Sequence, residues 1–130
     1  LLAFAVLGGI FSEGIDLVGE KLIGAMIVGV GLAQLNVESN IIARHYDEVR
    51  EQGMGFDYAY VYPGMNKVLQ AAGRVIRTET DRGAVILIDD RFATPKYTSL
   101  FPTHWQNAQF IGDLRSLKVA LDRFWKGKYR

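Results

Sequence analysis

Cysteine is absent from this sequence of 130 residues, and only three prolines occur. Without thiols, disulfide bonds and cysteine-ligated metal centres are excluded within these residues. The absence of cysteine fits a reducing compartment, and we expect a cytoplasmic protein. The two histidines, His45 and His104, have no partners at the spacing of metal ligands, so no metal site is predicted.

The sequence also lacks a strong excess of either charge. Fifteen basic residues face fourteen acidic ones, which gives a net charge of +1. No global basic field therefore indicates nucleic acid, and any such contact must be local. Hydrophobic residues make up 49% of the sequence and charged residues 22%, a balance that predicts a folded domain with its own core. The apolar opening ends at Phe11, too short for a membrane span, and no membrane contact is expected.

Three apolar segments predict strands buried inside a parallel sheet: residues 2–7, 22–30 and 84–88. Helices are predicted over residues 36–52, from 63 to about 78, and from 113 onward. Strands that alternate with helices are typical of an α/β fold with a parallel sheet. We find no linker or repeat, and expect a single domain over residues 1–130.

The ends of the helices and the segments between them give weaker signals. Ser39 or Asn40 could cap the first helix, and Asp113 could cap the last one. Residues 55–62, rich in aromatic side chains, predict a short strand or a turn. Residues 92–107 contain two prolines and are expected to be irregular, with an extended piece over residues 97–101.

One side of the predicted helix ending near residue 78 carries an amide and two guanidinium groups. At about 100° per residue, Gln70, Arg74 and Arg77 fall within roughly 60° of one another. Arginine pairs with phosphate oxygens in a bidentate way, so this array suits a polyphosphate. The alternative is the solvated face of an amphipathic helix. Gly73 favours the binding site, since a glycine within a helix costs about 1 kcal/mol relative to Ala and points to close backbone approach.

The loop after the first predicted strand is a second candidate site, because ligands of parallel sheets bind at the carboxyl ends of strands. There Asp16 could accept from a ribose hydroxyl, and Ser12 could donate to a phosphate. An ordinary turn, built from Gly and Asp for their backbone freedom, is the competing interpretation.

Three further groups of residues have structural interpretations that are favoured over functional ones. Asp89 and Asp90 could bind a metal but are commonplace in a turn. The basic tail is a solvated end rather than a nucleic-acid patch. Three alternating tyrosines could stack on bases, although core packing is favoured; they are Tyr58, Tyr60 and Tyr62.

Taken in order, three blocks resemble the DinG/XPD branch of superfamily 2 helicases. Residues 9–17, Gly-Ile-Phe-Ser-Glu-Gly-Ile-Asp-Leu, are similar to motif V of that family. Residues 70–77, Gln-Ala-Ala-Gly-Arg-Val-Ile-Arg, are similar to motif VI, and Thr-Asp-Arg-Gly follows at residues 80–83. The resemblance extends over roughly residues 1 to 105. It implies the later part of a RecA-like domain, the second of two, truncated at its N-terminal side.

The resemblance implies an ATP-dependent DNA helicase that moves 5′ to 3′ along single-stranded DNA. ATP and Mg²⁺ would be bound mainly by the first RecA-like domain, which these residues do not include. In keeping with this, the sequence has no Gly-x-x-x-x-Gly-Lys-Ser/Thr phosphate loop. Many members carry a [4Fe–4S] cluster in that first domain. Truncation within a sheet would leave an unpaired edge, which a second copy of the chain could cover.

Residue roles follow from the same resemblance. Arg77 would be the arginine finger that reaches the γ-phosphate, with Arg74 assisting it. Gln70 would position the nucleotide or the catalytic water, and Gly73 would let the nucleotide approach the backbone.

The motif V residues would couple the nucleotide to DNA. Glu13, Gly14 and Asp16 are the implied nucleotide-side residues, and Ser12 is the implied contact to the DNA backbone. The alternative function is a non-catalytic α/β module that uses the arginine array to bind an anionic ligand or a protein partner.

Overall fold

The computed structural model describes residues 2–9, 22–50, 52–78 and 80–127. The chain divides into two units, residues 1–92 and residues 93–130. The sheet and the arginine array both lie in the first unit. The assignment of residues 1–130 to a single partial domain stays a prediction.

Two parallel strands form the sheet of the first unit. Strand β1 (Gly24–Val28) pairs with β2 (Ala84–Ile88), so that Gly24 lies opposite Ala84 and Val28 opposite Ile88. The amide of Gly29 donates to the Ile88 carbonyl at 3.0 Å and continues the ladder by one residue. The predicted α/β fold with a parallel sheet is thus confirmed, and the predicted bounds of β2 match the structure.

The strand predicted over residues 2–7 is wrong. Residues 2–6 form neither strand nor helix, and residues 7–9 form a turn. Leu2, Phe4 and Val6 are exposed. In the described ranges the sheet contains only β1 and β2, and residues 2–6 pair with neither strand. Only its last side chain packs: a methyl group added at Gly31 would lie 3.2 Å from Leu7 Cδ2.

Helix α1 (Val37–Val49) begins earlier than either predicted cap allows. Asn36 is the N-cap, and its Oδ1 accepts from the Ser39 amide at 2.7 Å. Ser39 is therefore the donor in the cap, and Asn40 lies inside the helix. Asn36 is favoured at the N-cap because its short side chain lets the amide oxygen reach the backbone N–H of the residue three positions later.

Residues 55–62 are helical, which makes the predicted strand or turn wrong. A π-helical segment (Asp57–Val61) runs directly into helix α2 (Tyr62–Ala72). Pro63 lies in the first turn of α2, as predicted, where its missing N–H costs nothing. The extra residue of a π-turn rotates the aromatic side chains, so Tyr60 is buried while its hydroxyl donates to Asn40 Oδ1 on α1 at 2.8 Å.

The core of this unit forms where α2 packs on β1. Its largest fully buried side chains are Val30, Tyr60, Val61, Met65 and Val68. The backbones approach closely at Gly64, where an added methyl group would lie 2.8 Å from the Val30 carbonyl oxygen. Glycine at this position therefore sets how near α2 comes to the end of β1.

The second unit contains short helices and one long one. After a 3₁₀ turn (Asp90–Ala93) come helix α3 (Pro95–Thr98), a second 3₁₀ turn (Thr103–Trp105) and helix α4 (Leu114–Lys126). The extended piece predicted over residues 97–101 is wrong, because Pro95 starts a helical turn there. Asp113 caps α4 as predicted, accepting from the Ser116 amide at 2.8 Å. Among the helices described here, none is long and apolar enough to cross a membrane.

Candidate functional site

The residues of the predicted array line one open pocket. Gln70, Gly73, Arg74 and Arg77 surround a volume of about 470 Å³, called the arginine groove below. Gln70 and Arg77 are exposed, and Arg74 is half-buried. The structure therefore brings together the four residues that the sequence singled out at the end of α2.

Their convergence does not arise from a continuous helix, and the predicted extension to residue 78 is wrong. Helix α2 ends at Ala72, with Gly73 as its C-cap. The next amides bond three residues back rather than four, Arg74 to the Ala71 carbonyl at 3.3 Å and Val75 to the Ala72 carbonyl at 3.0 Å. Glycine favours this ending because it gains little from continuing a helix.

Val75 anchors the chain beyond the helix. Its side chain is buried, whereas that of Ile76 is half exposed. Gly83 lies against the Val75 side chain so closely that an added methyl group would overlap it. Because Val75 points into the core, its neighbours Arg74 and Arg77 remain on the side of the groove.

Asp81 holds the loop that carries Arg77. Its Oδ2 accepts from the backbone amides of Arg77 and Thr78, each at 2.9 Å. The amide of Arg77, followed by that of Thr78, holds the pKa of the Asp81 carboxyl below its usual range. In the sequence, Asp81 was identified only as part of the Thr-Asp-Arg-Gly block at residues 80–83. An aspartate four residues after an arginine and two before a glycine is the signal that could have revealed this role.

The arginine groove is chemically suited to a polyphosphate. Guanidinium groups stay protonated at all physiological pH values and donate through a planar fork. Among the described residues, the lining of the groove includes no carboxylate, and its guanidinium groups offer donors to an anion. A methyl group added at Gly73 would lie 3.2 Å from the Leu69 carbonyl oxygen, so a larger residue would crowd the last turn of α2 where the groove begins.

The motif V candidates cannot be placed. Ser12, Glu13, Gly14 and Asp16 lie outside the described residues, and their roles stay predictions. The chain is described up to Gly9, at the entrance of that segment.

Lys67 is a neighbour that the sequence analysis missed. Gly8 has a left-handed backbone (φ +78°), and a methyl group added there would lie 3.2 Å from Lys67 Cδ. Lys67 precedes Gln70 by three residues on α2, so the entrance of the motif V segment contacts the helix that carries one wall of the groove.

Asp89 is committed to an ion pair. Its carboxylate accepts from Arg91 Nε and Nη2, both at 2.8 Å. These side-chain hydrogen bonds from Arg91 hold the pKa of Asp89 below its usual range. Across the described ranges, no group of three or more His, Cys, Asp or Glu residues is placed to hold a metal ion.

The first unit thus combines a parallel α/β fold with an exposed arginine groove whose donors suit an anion. Residues 1–108 match the family model described as the helicase C-terminal domain. The chain belongs to this family. The resemblance to the second RecA-like domain of DinG/XPD-type helicases, which the sequence analysis identified, is thereby confirmed.

Sequence comparisons with individual relatives agree with this family assignment. The regulator of telomere elongation helicase 1 homolog of Caenorhabditis briggsae is 31% identical over 94% of this chain and 13% of that protein. The ATP-dependent DNA helicase chl-1 of Caenorhabditis elegans is 32% identical over 92% of the chain and 14% of that protein. The ATP-dependent DNA helicase DinG of Photobacterium profundum is 33% identical over 68% of the chain. The chain spans 13–14% of the length of these three relatives.

Proposed function

We propose that this chain is the motif V and motif VI portion of an ATP-dependent DNA helicase. The observation that carries the proposal is the arginine groove, in which Gln70, Gly73, Arg74 and Arg77 line one open pocket. Membership of the helicase C-terminal domain family supports it, as do relatives whose names describe ATP-dependent DNA helicases.

Arg77 is the proposed arginine finger. It is exposed, and Asp81 fixes the backbone beside it, so its guanidinium can reach a phosphate held by another domain. Arginine fingers stabilise charge that spreads over the transferred phosphoryl group and are worth roughly 10³–10⁵ in rate in other nucleotide hydrolases. Arg74 adds a second cation, and Gln70 orients the nucleotide or the attacking water.

The groove accounts for only part of an ATPase. Mg²⁺ and most of the triphosphate would be held by a first RecA-like domain, because the described lining of the groove includes no carboxylate. A finger supplied by a second domain acts only when the cleft closes, and closure can be converted into 5′ to 3′ stepping along single-stranded DNA. Ser12, Glu13, Gly14 and Asp16 would couple the two events. A cytoplasmic location and an iron–sulfur cluster in the first domain complete the proposal.

The test is ATP turnover in the full-length polypeptide. Arg77→Ala should lower DNA-stimulated kcat by about 10³ or more, while binding to single-stranded DNA persists. Arg44→Ala is the matched control, because it removes an exposed arginine from α1, away from the groove. Near-normal turnover in Arg77→Ala would remove the finger role, and equal losses in both variants would show that the effect is not specific to the groove.

The alternative is a non-catalytic module that binds an anionic ligand through the same four residues. The sequence that precedes these residues in the full polypeptide distinguishes the two functions. A phosphate loop and an acidic Mg²⁺-binding motif in the preceding sequence favour the helicase. Binding of inorganic triphosphate to a polypeptide that lacks both would favour the module.

The chain by itself is proposed to form a homo-oligomer through its sheet. Among the described strands β1 pairs only with β2, and Ile23, Met26 and Val28, in and beside β1, are all more than half exposed, so an edge and an apolar face are open to a second copy. Sedimentation of the 130-residue chain tests this proposal, and a monomer at all concentrations would contradict it.

A further inference from the structure

The positive charge of this protein is concentrated at its C-terminal end. Residues 109–130 contain six Lys or Arg and two Asp or Glu, whereas residues 1–108 contain nine and twelve. The last segment therefore has a net charge of +4 and the remainder a net charge of −3. One of its two acids, Asp113, is engaged as the cap of α4. A field of this kind attracts a polyanion locally, even though the whole chain is nearly neutral.

The same segment forms a groove. Residues 109–112 and one face of α4 enclose a volume of about 610 Å³, called the C-terminal groove below. Its apolar walls include Phe110, Ile111, Val119 and Phe124, and its cations are Arg115 and Arg123. The two arginines are eight residues apart on one helix, which separates their Cα atoms by about 12 Å along the axis.

Aromatic rings lie beside these cations. Phe110 is 68% exposed, far more than a core phenylalanine. Phe124 lines the groove and meets Trp125 edge to face, with ring centroids 4.9 Å apart. Rings and arginines that line one groove are the combination that single-stranded nucleic acids use, with bases stacking on the rings and phosphates pairing with the cations.

We propose that the C-terminal groove is a single-stranded nucleic-acid contact, separate from motifs V and VI. Bases stack on Phe110 and against Phe124, and phosphates pair with Arg115 and Arg123. An arginine spacing of about 12 Å spans roughly two nucleotides of extended single strand, since consecutive phosphates lie at most ~7 Å apart. The inference goes beyond the proposed ATPase function, because it concerns binding alone and needs no nucleotide hydrolysis.

Fluorescence anisotropy of the 130-residue chain with labelled dT12, without ATP, tests the cations. Arg115→Gln/Arg123→Gln should weaken binding at least about tenfold and reduce the slope of log K against log salt by roughly 1.4, since each phosphate contact on a single strand contributes ~0.7. Lys118→Gln/Lys126→Gln removes two charges from α4 outside the groove lining. This control should weaken binding about threefold or less. Equal effects of the two double variants, or no dT12 binding at low salt, would overturn the proposal.

Stacking of bases on the Phe110 ring is tested by a separate substitution. Phe110→Leu keeps an apolar side chain and should weaken dT12 binding by roughly fivefold or more, because stacking needs a flat π-face. Unchanged affinity would overturn stacking. Circular dichroism verifies that α4 remains folded. If the glutamine double variant unfolds, Arg115→Lys/Arg123→Lys, which keeps the charge, is measured in its place.

A competition experiment distinguishes a nucleic acid from an acidic protein segment as the occupant of the C-terminal groove. Polyglutamate of matched charge should displace labelled dT12 poorly. If it displaces dT12 as well as unlabelled dT12 does, the groove is a site for an acidic protein segment and the proposal fails. Arg44→Ala, an exposed arginine of α1 that lines neither groove, should leave dT12 binding by the chain unchanged. ATP turnover in Arg77→Ala is measured separately, so failure here and failure of the proposed ATPase role are distinguishable.

Discussion

The carboxylate of Asp81 accepts a hydrogen bond from the backbone amide of Arg77 at 2.9 Å. The same oxygen accepts from the next amide, that of Thr78, at 2.9 Å. Two amides gathered on one oxygen define the path of the chain after α2 has ended. The position of the proposed finger therefore depends on a carboxylate that contributes nothing to the lining of the arginine groove.

Replacing that carboxylate should loosen the loop without unfolding the domain. In Asp81→Ala, hydrogen exchange at the amides of Arg77 and Thr78 should accelerate, while amides in β1 and β2 keep their protection, since local opening costs less than global unfolding. Amide-resolved exchange by NMR measures this. Asp81→Asn retains one acceptor oxygen and should restore part of the protection. Unchanged exchange in the alanine variant would show that other contacts fix the loop.

The Asp81 interaction should also depend on pH. Because hydrogen bonds from Arg77 and Thr78 lower the pKa of Asp81 in the folded state, their stabilisation is fully present above the ordinary aspartate pKa of ~3.9 and is lost as the pH falls through the lower folded pKa. Amide chemical shifts of residues 77 and 78 should titrate in that acidic range. In Asp81→Ala the same shifts should stay flat, and a matching titration there would assign the effect to another group.

Gly64→Ala should destabilise the first unit. The added methyl group would lie 2.8 Å from the Val30 carbonyl oxygen, so α2 must move away from the end of β1 at a cost of about 1–3 kcal/mol. Urea unfolding measures the loss. Gly112→Ala is the control, since an added methyl group there meets nothing within 4 Å and should change stability by less than about 0.5 kcal/mol. Equal stabilities of the two variants would argue against close packing at Gly64.

The hydrogen bond from Tyr60 to Asn40 should give unequal single-variant losses. Tyr60→Phe leaves an exposed amide that water can satisfy and should cost about 1 kcal/mol. Asn40→Ala leaves the hydroxyl of a tyrosine that is 2% exposed without its acceptor, and should cost about 1–3 kcal/mol. Chemical denaturation of both single variants and the double variant measures the coupling. A larger loss in Tyr60→Phe than in Asn40→Ala would contradict the assignment.

Elements with strong local signals could be predicted from the sequence. The apolar run of β2 and the cap at Asp113 match the structure residue by residue, because both depend on neighbours in the chain. The strand over residues 2–7 could not be judged in this way. Its apolar character is real, but a strand also needs a partner, and none lies beside it among the described residues. The π-helical segment was missed because alternating tyrosines imitate the two-residue period of a strand.

In the candidate site, too, local features could be predicted from the sequence and those set by tertiary packing could not. Gln70, Arg74 and Arg77 could be identified from residue type and spacing, and the structure places all three on one groove. The assumed helix was too long, since the effect of Gly73 and the burial of Val75 depend on tertiary packing. Asp81 was missed because its spacing from Arg77 was not considered as a side-chain contact to backbone amides.

The two ends of the arginine groove differ in how firmly they are anchored. Gln70 is carried by a helix that packs on the sheet, whereas Arg77 belongs to the irregular stretch after it. Sequence changes that strengthen the core can therefore accumulate without altering the reach of the arginine. Conversely, changes at Thr78 and Asp81 can adjust how readily that cation is presented, at little risk to the rest of the molecule.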